Sequence, residues 1–316
     1  MSVVEVKNLN LDIKTELGTK NVLRDVSFTL DFAKLHALVG ESGCGKTLSA
    51  MSILRLLPKN AVITSGEIIF DNKDLLQLNS KDMEKIRGAK IALIPQDSLS
   101  SLNPLYTIGN QILEVIKKHQ NLTGKEAYDK AIEALELVQI PQAKQRMNSY
   151  PHEFSGGMRQ RAIIAMAMAC NAELIIADEP TTALDVTIQY QIMELLNKIK
   201  NEVGTSILLI THDLSLVEGY ADEVSVMYSG RIVENCDCRE FFKNPLHPYS
   251  RALLRALPNP SKKELDTIQG QAPSIYEDIS GCRFNPRCNE KINCCVEIVP
   301  ELNEPKKEHF VACHLV

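Results

Sequence analysis

The sequence predicts an α/β protein, with a mostly parallel sheet of buried strands covered by helices on both faces. Three observations predict it. Short apolar runs at residues 35–39, 91–94, 174–177 and 206–210 read as buried strands. Stretches with helical spacing at 48–57, 108–118, 125–138 and 187–203 alternate with them. Between the first such strand and helix lies Gly40-Glu41-Ser42-Gly43-Cys44-Gly45-Lys46-Thr47, which fits G-x-x-x-x-G-K-[ST]. In that strand–loop–helix setting the glycines let backbone N–H groups close around phosphate oxygens, and the helix N-terminus adds the positive end of its dipole. Lys46 can reach the β- and γ-phosphates, and Thr47 can offer its hydroxyl to Mg²⁺. The loop reads as a nucleoside-triphosphate site.

The other elements follow in order. Residues 3–6, 9–13 and 26–30 read as antiparallel strands beside the loop, with a turn expected at 18–21. The first helix is expected to run to Leu57 and stop at Pro58. Residues 66–70 form a further strand, and the strand 91–94 ends at Pro95-Gln96-Asp97. From about residue 98 to 160 the pattern turns helical, which marks an insertion. It closes on Phe154-Ser155-Gly156-Gly157-Met158-Arg159-Gln160-Arg161 and a small-residue helix over 162–169. The strand 174–177 ends in Asp178-Glu179-Pro180, and the strand 206–210 ends in Thr211-His212-Asp213. Residues 224–228, Ser229-Gly230 and 231–233 read as strand, turn and strand. This gives a nucleotide-binding domain over 1–235 and an extension over 236–316. In the extension, Asn244-Pro245-Leu246-His247-Pro248-Tyr249 precedes a short helix at 250–256, and prolines at 258, 260 and 273 mark an irregular connector.

Composition narrows the function. A net charge of −5 supplies no basic field for nucleic acid. No apolar run is long enough to span a bilayer, and Met-Ser-Val-Val-Glu has no signal-peptide character, so a cytoplasmic protein is expected. Nine cysteines there do not suggest disulfides, and five of them fall after residue 281.

The candidate chemistry lies at strand ends. Asp178 is placed to hold Mg²⁺, directly or through water, and Glu179 to polarise the attacking water. Gln96 and His212 follow two other strands, where each can touch the γ-phosphate or its water.

Taken together, the loop, Gln96, Ser155-Gly156-Gly157, Asp178-Glu179, Ala183-Leu184-Asp185 and His212 resemble the ATP-binding cassette (ABC) ATPases over residues 1 to about 235. That resemblance implies a RecA-like core with an antiparallel β subdomain and a helical insertion. It also implies a head-to-tail dimer with two ATPs held between the loop of one chain and Ser155, Gly156 and Gly157 of the other. Thr47, Gln96 and Asp178 become the Mg²⁺ set, and Glu179, Gln96 and His212 the catalytic set. The signature departs from the usual one at Met158, where Gln is common, and at Phe154, where Leu is common. Cassettes often stack adenine on an aromatic near the N-terminus; none precedes Val26 here, leaving Leu17 as the candidate contact.

Within that family, Phe154–Arg161, the 244–249 segment and Gly281-Cys282-Arg283-Phe284-Asn285-Pro286-Arg287-Cys288 with Val311-Ala312-Cys313-His314-Leu315 resemble the dipeptide/oligopeptide importer ATPases. The resemblance implies two membrane permeases, an extracytoplasmic peptide receptor and a second, paralogous ATPase, with a homodimer when isolated. The permeases would dock on the Gln96 region and the helical insertion, at the cytoplasmic face of the plasma membrane. Import of another solute such as a nickel chelate, and a soluble ATPase without membrane partner, are the rival readings.

Cys282, Cys288, Cys295 and Cys313 are spaced C-x₅-C-x₆-C-x₁₇-C. Four thiolates suit a [4Fe–4S] cluster, which some family members bind, or Zn²⁺, or simply a reduced satellite core. The tail has few large apolar residues and is expected to bury little core alone. Cys44, Cys236 and Cys238 receive no ligand role.

Overall fold

The computed structural model describes residues 2–257 and 267–316, so the connector prolines at 258 and 260 lie outside the described residues. The chain divides into two compact units, Ser2–Leu76 with Ile210–Val316 and Gln77–Leu209.

The first unit opens on β1 (Ser2–Thr15) and β2 (Gly18–Asp31), an antiparallel pair. Their turn sits at 16–17, so residues 18–21, expected as the turn, begin β2. They are polar and largely outside the core, which hides the strand's alternation. The strand β3 (Leu35–Val39) is buried throughout and feeds the nucleotide loop, and α1 (Lys46–Leu54) leaves it. This helix ends three residues before the expected Leu57. Arg55 turns left-handed at φ 52°, and Leu56 N–H reaches back to the Met51 carbonyl at 3.0 Å. The strand β4 (Ala61–Phe70) pairs with the free side of β1, and β5 (Lys73–Asp74) pairs with β4.

The second unit holds the insertion. It runs through α2 (Ser80–Ile86), β6 (Ile91–Ile94), α3 (Ser98–Ser101), α4 (Ile108–Gln120), α5 (Gly124–Leu137), α6 (Ala143–Arg146) and α7 (Gly156–Met168). Then come β7 (Leu174–Asp178), α8 (Val186–Val203) and β8 (Ser206–Thr211), whose last two residues belong to the first unit. The helices α4 and α5 bury Ile108, Ile112, Ile116, Ala127, Ala131 and Leu135 at helical spacing. The strands run in the order β8-β7-β6, and β6 lies parallel to β7 with Ile91 opposite Leu174. Every residue of β7 and β8 is buried, as continuous apolar runs require.

The chain returns to the first unit with α9 (Leu214–Tyr220), β9 (Glu223–Tyr228), β10 (Arg231–Asp237), α10 (Cys238–Lys243) and α11 (Pro248–Arg255). The tail adds α12 (Cys294–Glu297), β11 (Asn303–Lys306) and β12 (His309–Val311). The strand order here is β11-β12-β10-β9-β3, with β9 parallel to β3. Through β12 the tail therefore extends the sheet, pairing Val311 with Glu234. Phe284 is 3% exposed and packs with Tyr228, Phe241 and Tyr249. Burying such a side chain stabilises the fold by about 2 kcal/mol. The tail, expected to bury little core alone, shares the core of the first unit.

Candidate nucleotide site

The loop owes its shape to close packing. A Cβ on Gly40 (φ 151°) would lie 2.2 Å from the Met227 carbonyl oxygen, and one on Gly45 (φ 108°) 2.7 Å from Leu23 Cδ2. Any side chain at either place would open the loop. Lys46 is 5% exposed and its Nζ donates to the Gly40 and Glu41 carbonyls at 2.7 and 2.9 Å. Ser42, Gly43 and Thr47 face solvent at the mouth of the loop. Cys44 points inward, and burial raises its thiol pKa against the pull of Lys46, so it is a packing residue. His212, after β8, is an exposed residue of this same unit. Leu17, the candidate adenine contact, stands at the β1–β2 turn, 76% exposed.

Two residues that the sequence reading passed over also hold the loop. Arg287 donates to both carboxylate oxygens of Glu41 at 2.6 and 2.9 Å, and the Glu41 N–H donates to the Tyr249 hydroxyl at 3.0 Å. The quoted motifs contain both, but periodicity gives no sign of a contact so distant in sequence.

The carboxylates and the signature belong to the other unit. Asp178 closes β7 and is 3% exposed. Glu179 follows with a left-handed backbone, φ 45°, a conformation that costs about 1–2 kcal/mol in a non-glycine residue. Gln96 Nε2 and Thr182 Oγ1 both donate to Glu179 Oε2, at 2.8 and 2.9 Å. The structure thus brings Gln96 and Glu179 together, and adds Thr182, which the sequence reading missed. Asp185 caps α8, accepting from Ile188 N–H at 3.0 Å. Ser155 caps α7, and its hydroxyl accepts from Met158 N–H at 3.3 Å. The cap uses the backbone of residue 158, which explains why Met fits there. Phe154 is buried under the Arg146 guanidinium, 5.9 Å from its ring centre. Ser155 and Gly156 are exposed, while Gly157 is buried, its Cβ position 2.8 Å from Ile188 Cγ2. The start of α7 is therefore exposed at Ser155 and Gly156, and the positive end of a helix dipole there favours an anion.

In the tail, Cys282, Cys288, Cys295 and Cys313 line one small cavity beside His247 and Phe284. Burial pushes the Cys282 thiol up to about 11, and the other three thiols add to it. Cys294 does not line that cavity. Among the described residues, ligand atoms mutually within 4.8 Å occur at Glu234, Cys236 and His309. There the Glu234 carboxylate accepts from Leu246 N–H and His247 N–H at 2.7 and 3.0 Å, and pairs with His309 Nε2 at 2.8 Å. These bonds fix the 244–249 segment, and Cys236 stays without a ligand role.

A phosphate-binding loop after a buried strand, acid residues closing a second and an outward-facing Ser-Gly-Gly helix start define the cassette class of P-loop ATPases. Residues 23–182 match the ABC transporter family, and residues 233–295 match the oligopeptide/dipeptide transporter C-terminal region. A probable peptide ABC transporter ATP-binding protein of Sinorhizobium fredii is 45% identical, covering 98% of this chain and 94% of its own. The dipeptide transport ATP-binding protein DppD of Bacillus subtilis is 43% identical over 99% and 94%. The dimeric cassette MJ0796, solved in a post-hydrolysis state with ADP and Pi, superposes with a TM-score of 0.67 at 28% identity, covering 75% of this chain and 99% of its own. The chain belongs to the ABC transporter ATP-binding proteins, in their oligopeptide/dipeptide branch. It is an ATPase of the cassette type.

Proposed function

We propose that this chain is the ATP-hydrolysing motor of a membrane importer for di- and oligopeptides. The observation that carries the reading is that similarity to peptide-transport ATP-binding proteins runs the full length and includes the C-terminal region at 233–295. Lys46 and the N–H groups of the loop hold the β- and γ-phosphates. Thr47, Gln96 and Asp178 hold Mg²⁺, which when bound neutralises charge on the phosphate oxygens. Glu179 takes a proton from the attacking water, Gln96 orients Glu179 and the water, and His212 contacts the γ-phosphate. Ser155, Gly156 and Gly157 serve the partner chain's nucleotide.

The partners are two permeases, a paralogous ATPase and, through the complex, an extracytoplasmic receptor; nucleic acid is not among them. No helix among the described residues is long and apolar enough to cross a membrane. In this reading the permeases hold the chain at the cytoplasmic face. Leu105 and Tyr106, 79% and 55% exposed between α3 and α4, offer an apolar docking point in the insertion. The test is ATPase rate with the complex reconstituted in vesicles. Receptor loaded with peptide should raise the rate about tenfold or more over the isolated chain, whose own rate should climb with concentration. A full, concentration-independent rate from dilute isolated chain removes the shared site. Stimulation by a nickel chelate and not by peptide replaces the cargo.

We further propose that the four tail cysteines, which line one cavity, hold a [4Fe–4S] cluster. Chain purified without oxygen is expected to be brown, with about four irons and broad absorbance near roughly 400 nm. Cys295→Ser should bleach it and Cys294→Ser should not. Stoichiometric zinc in colourless protein, or no metal, refutes the cluster.

A further inference from the structure

Glu41, the first variable residue of the nucleotide loop, is fixed at three points. Arg287 grips its carboxylate with two donors, the Tyr249 hydroxyl accepts from its N–H, and Lys46 donates to its carbonyl. The guanidinium is itself seated. Its Nε donates to the Gln269 carbonyl at 3.0 Å, its Nη1 to the Tyr228 hydroxyl at 3.3 Å, and it lies 5.8 Å over the Tyr228 ring. Tyr228, Tyr249 and Phe284 pack ring on ring beside it, with centroids 4.6, 5.2 and 5.3 Å apart. The Arg287 side chain is 6% exposed and that of Glu41 27%.

A carboxylate at the edge of a phosphate cradle repels the anion that the cradle must hold. A planar guanidinium bound through two N–H groups cancels that charge and fixes the direction of the carboxylate. We infer that Arg287 is a positioning residue for nucleotide binding. It neutralises Glu41 and, with Tyr249, holds the turn at residues 40–41 in its phosphate-binding form. The tail thereby sets the affinity of a loop 246 residues upstream. This role rests on the loop being the phosphate cradle and requires no metal in the tail.

The experiment is steady-state MgATP hydrolysis and equilibrium MgATP binding by full-length variants. Arg287→Gln should raise KM and Kd about tenfold while kcat stays within about twofold. Arg287→Lys should recover part of the loss, since a point ammonium neutralises charge without the fork. Adding Glu41→Gln to Arg287→Gln should return KM to within about threefold of the parent, because the uncompensated carboxylate is gone. A merely structural Arg287 would leave KM unmoved or leave the double variant as weak as the single; either result overturns the inference. If Arg287→Gln does not fold, Arg287→Lys decides, and a KM equal to the parent's overturns it. A parent chain that fails to bind MgATP overturns the reading of the loop and the brace with it.

Discussion

Glu179→Gln is expected to lower kcat for ATP hydrolysis at least about a hundredfold while ATP affinity stays within about threefold. The amide keeps the size of the side chain and can still accept from Gln96 and Thr182 through its oxygen, so the pocket holds its shape. What it loses is the ability to take a proton from water, and a positioned base contributes about 10²–10⁴-fold. Phosphate release gives the rate, and nucleotide binding measured separately gives the affinity. Size-exclusion chromatography with ATP should show a trapped dimer. Turnover near the parent's would remove Glu179 from the role of base.

Lys46→Ala is expected to act at the other end of the same reaction, weakening ATP binding by about a hundredfold or more. The ammonium stands inside the loop, 2.7 and 2.9 Å from two of its carbonyls, so it need travel only a short way to meet phosphate oxygens. Alanine takes away the charge and leaves those carbonyls without their donor. Titration with a fluorescent ATP analogue measures the loss. Retained affinity with lost turnover would transfer Lys46 from binding to chemistry alone.

The two variants probe parts that are legible in the sequence to different degrees. The strands at 35–39, 91–94, 174–178 and 206–211 announce themselves because strands buried on both faces need unbroken apolar runs. The loop and the Asp178-Glu179 pair follow from them, since motif and strand end occur together. The helical insertion was equally open to reading, through the spacing of Ile108, Ile112 and Ile116. Other parts carry no local signal. In β11 every residue is exposed, so only its pairing with β12 makes it a strand. The short helices α9 and α10 are too brief for periodicity to register, although Asp213 and Asp237 cap them. The helix α1 stops short of the expected Leu57 because the chain turns left-handed at Arg55, while Leu56 and Leu57 prolong the apolar pattern past it. The contacts of Arg287, Tyr249 and Thr182 depend on tertiary approach, which no window of sequence contains.

The reach of Arg287 to Glu41 also has a meaning for synthesis. The loop is translated early and its counter-charge late, 246 residues apart. At roughly 5–20 residues per second, the loop waits on the order of tens of seconds for the side chain that completes it. Strand β12, later still, must arrive before the edge of β10 is covered. A nascent chain therefore carries its phosphate cradle unbraced until residue 287 has been added. A message cut short before that codon yields a cassette that keeps the loop, Asp178-Glu179 and Ser155-Gly156-Gly157 and lacks the guanidinium that discharges Glu41.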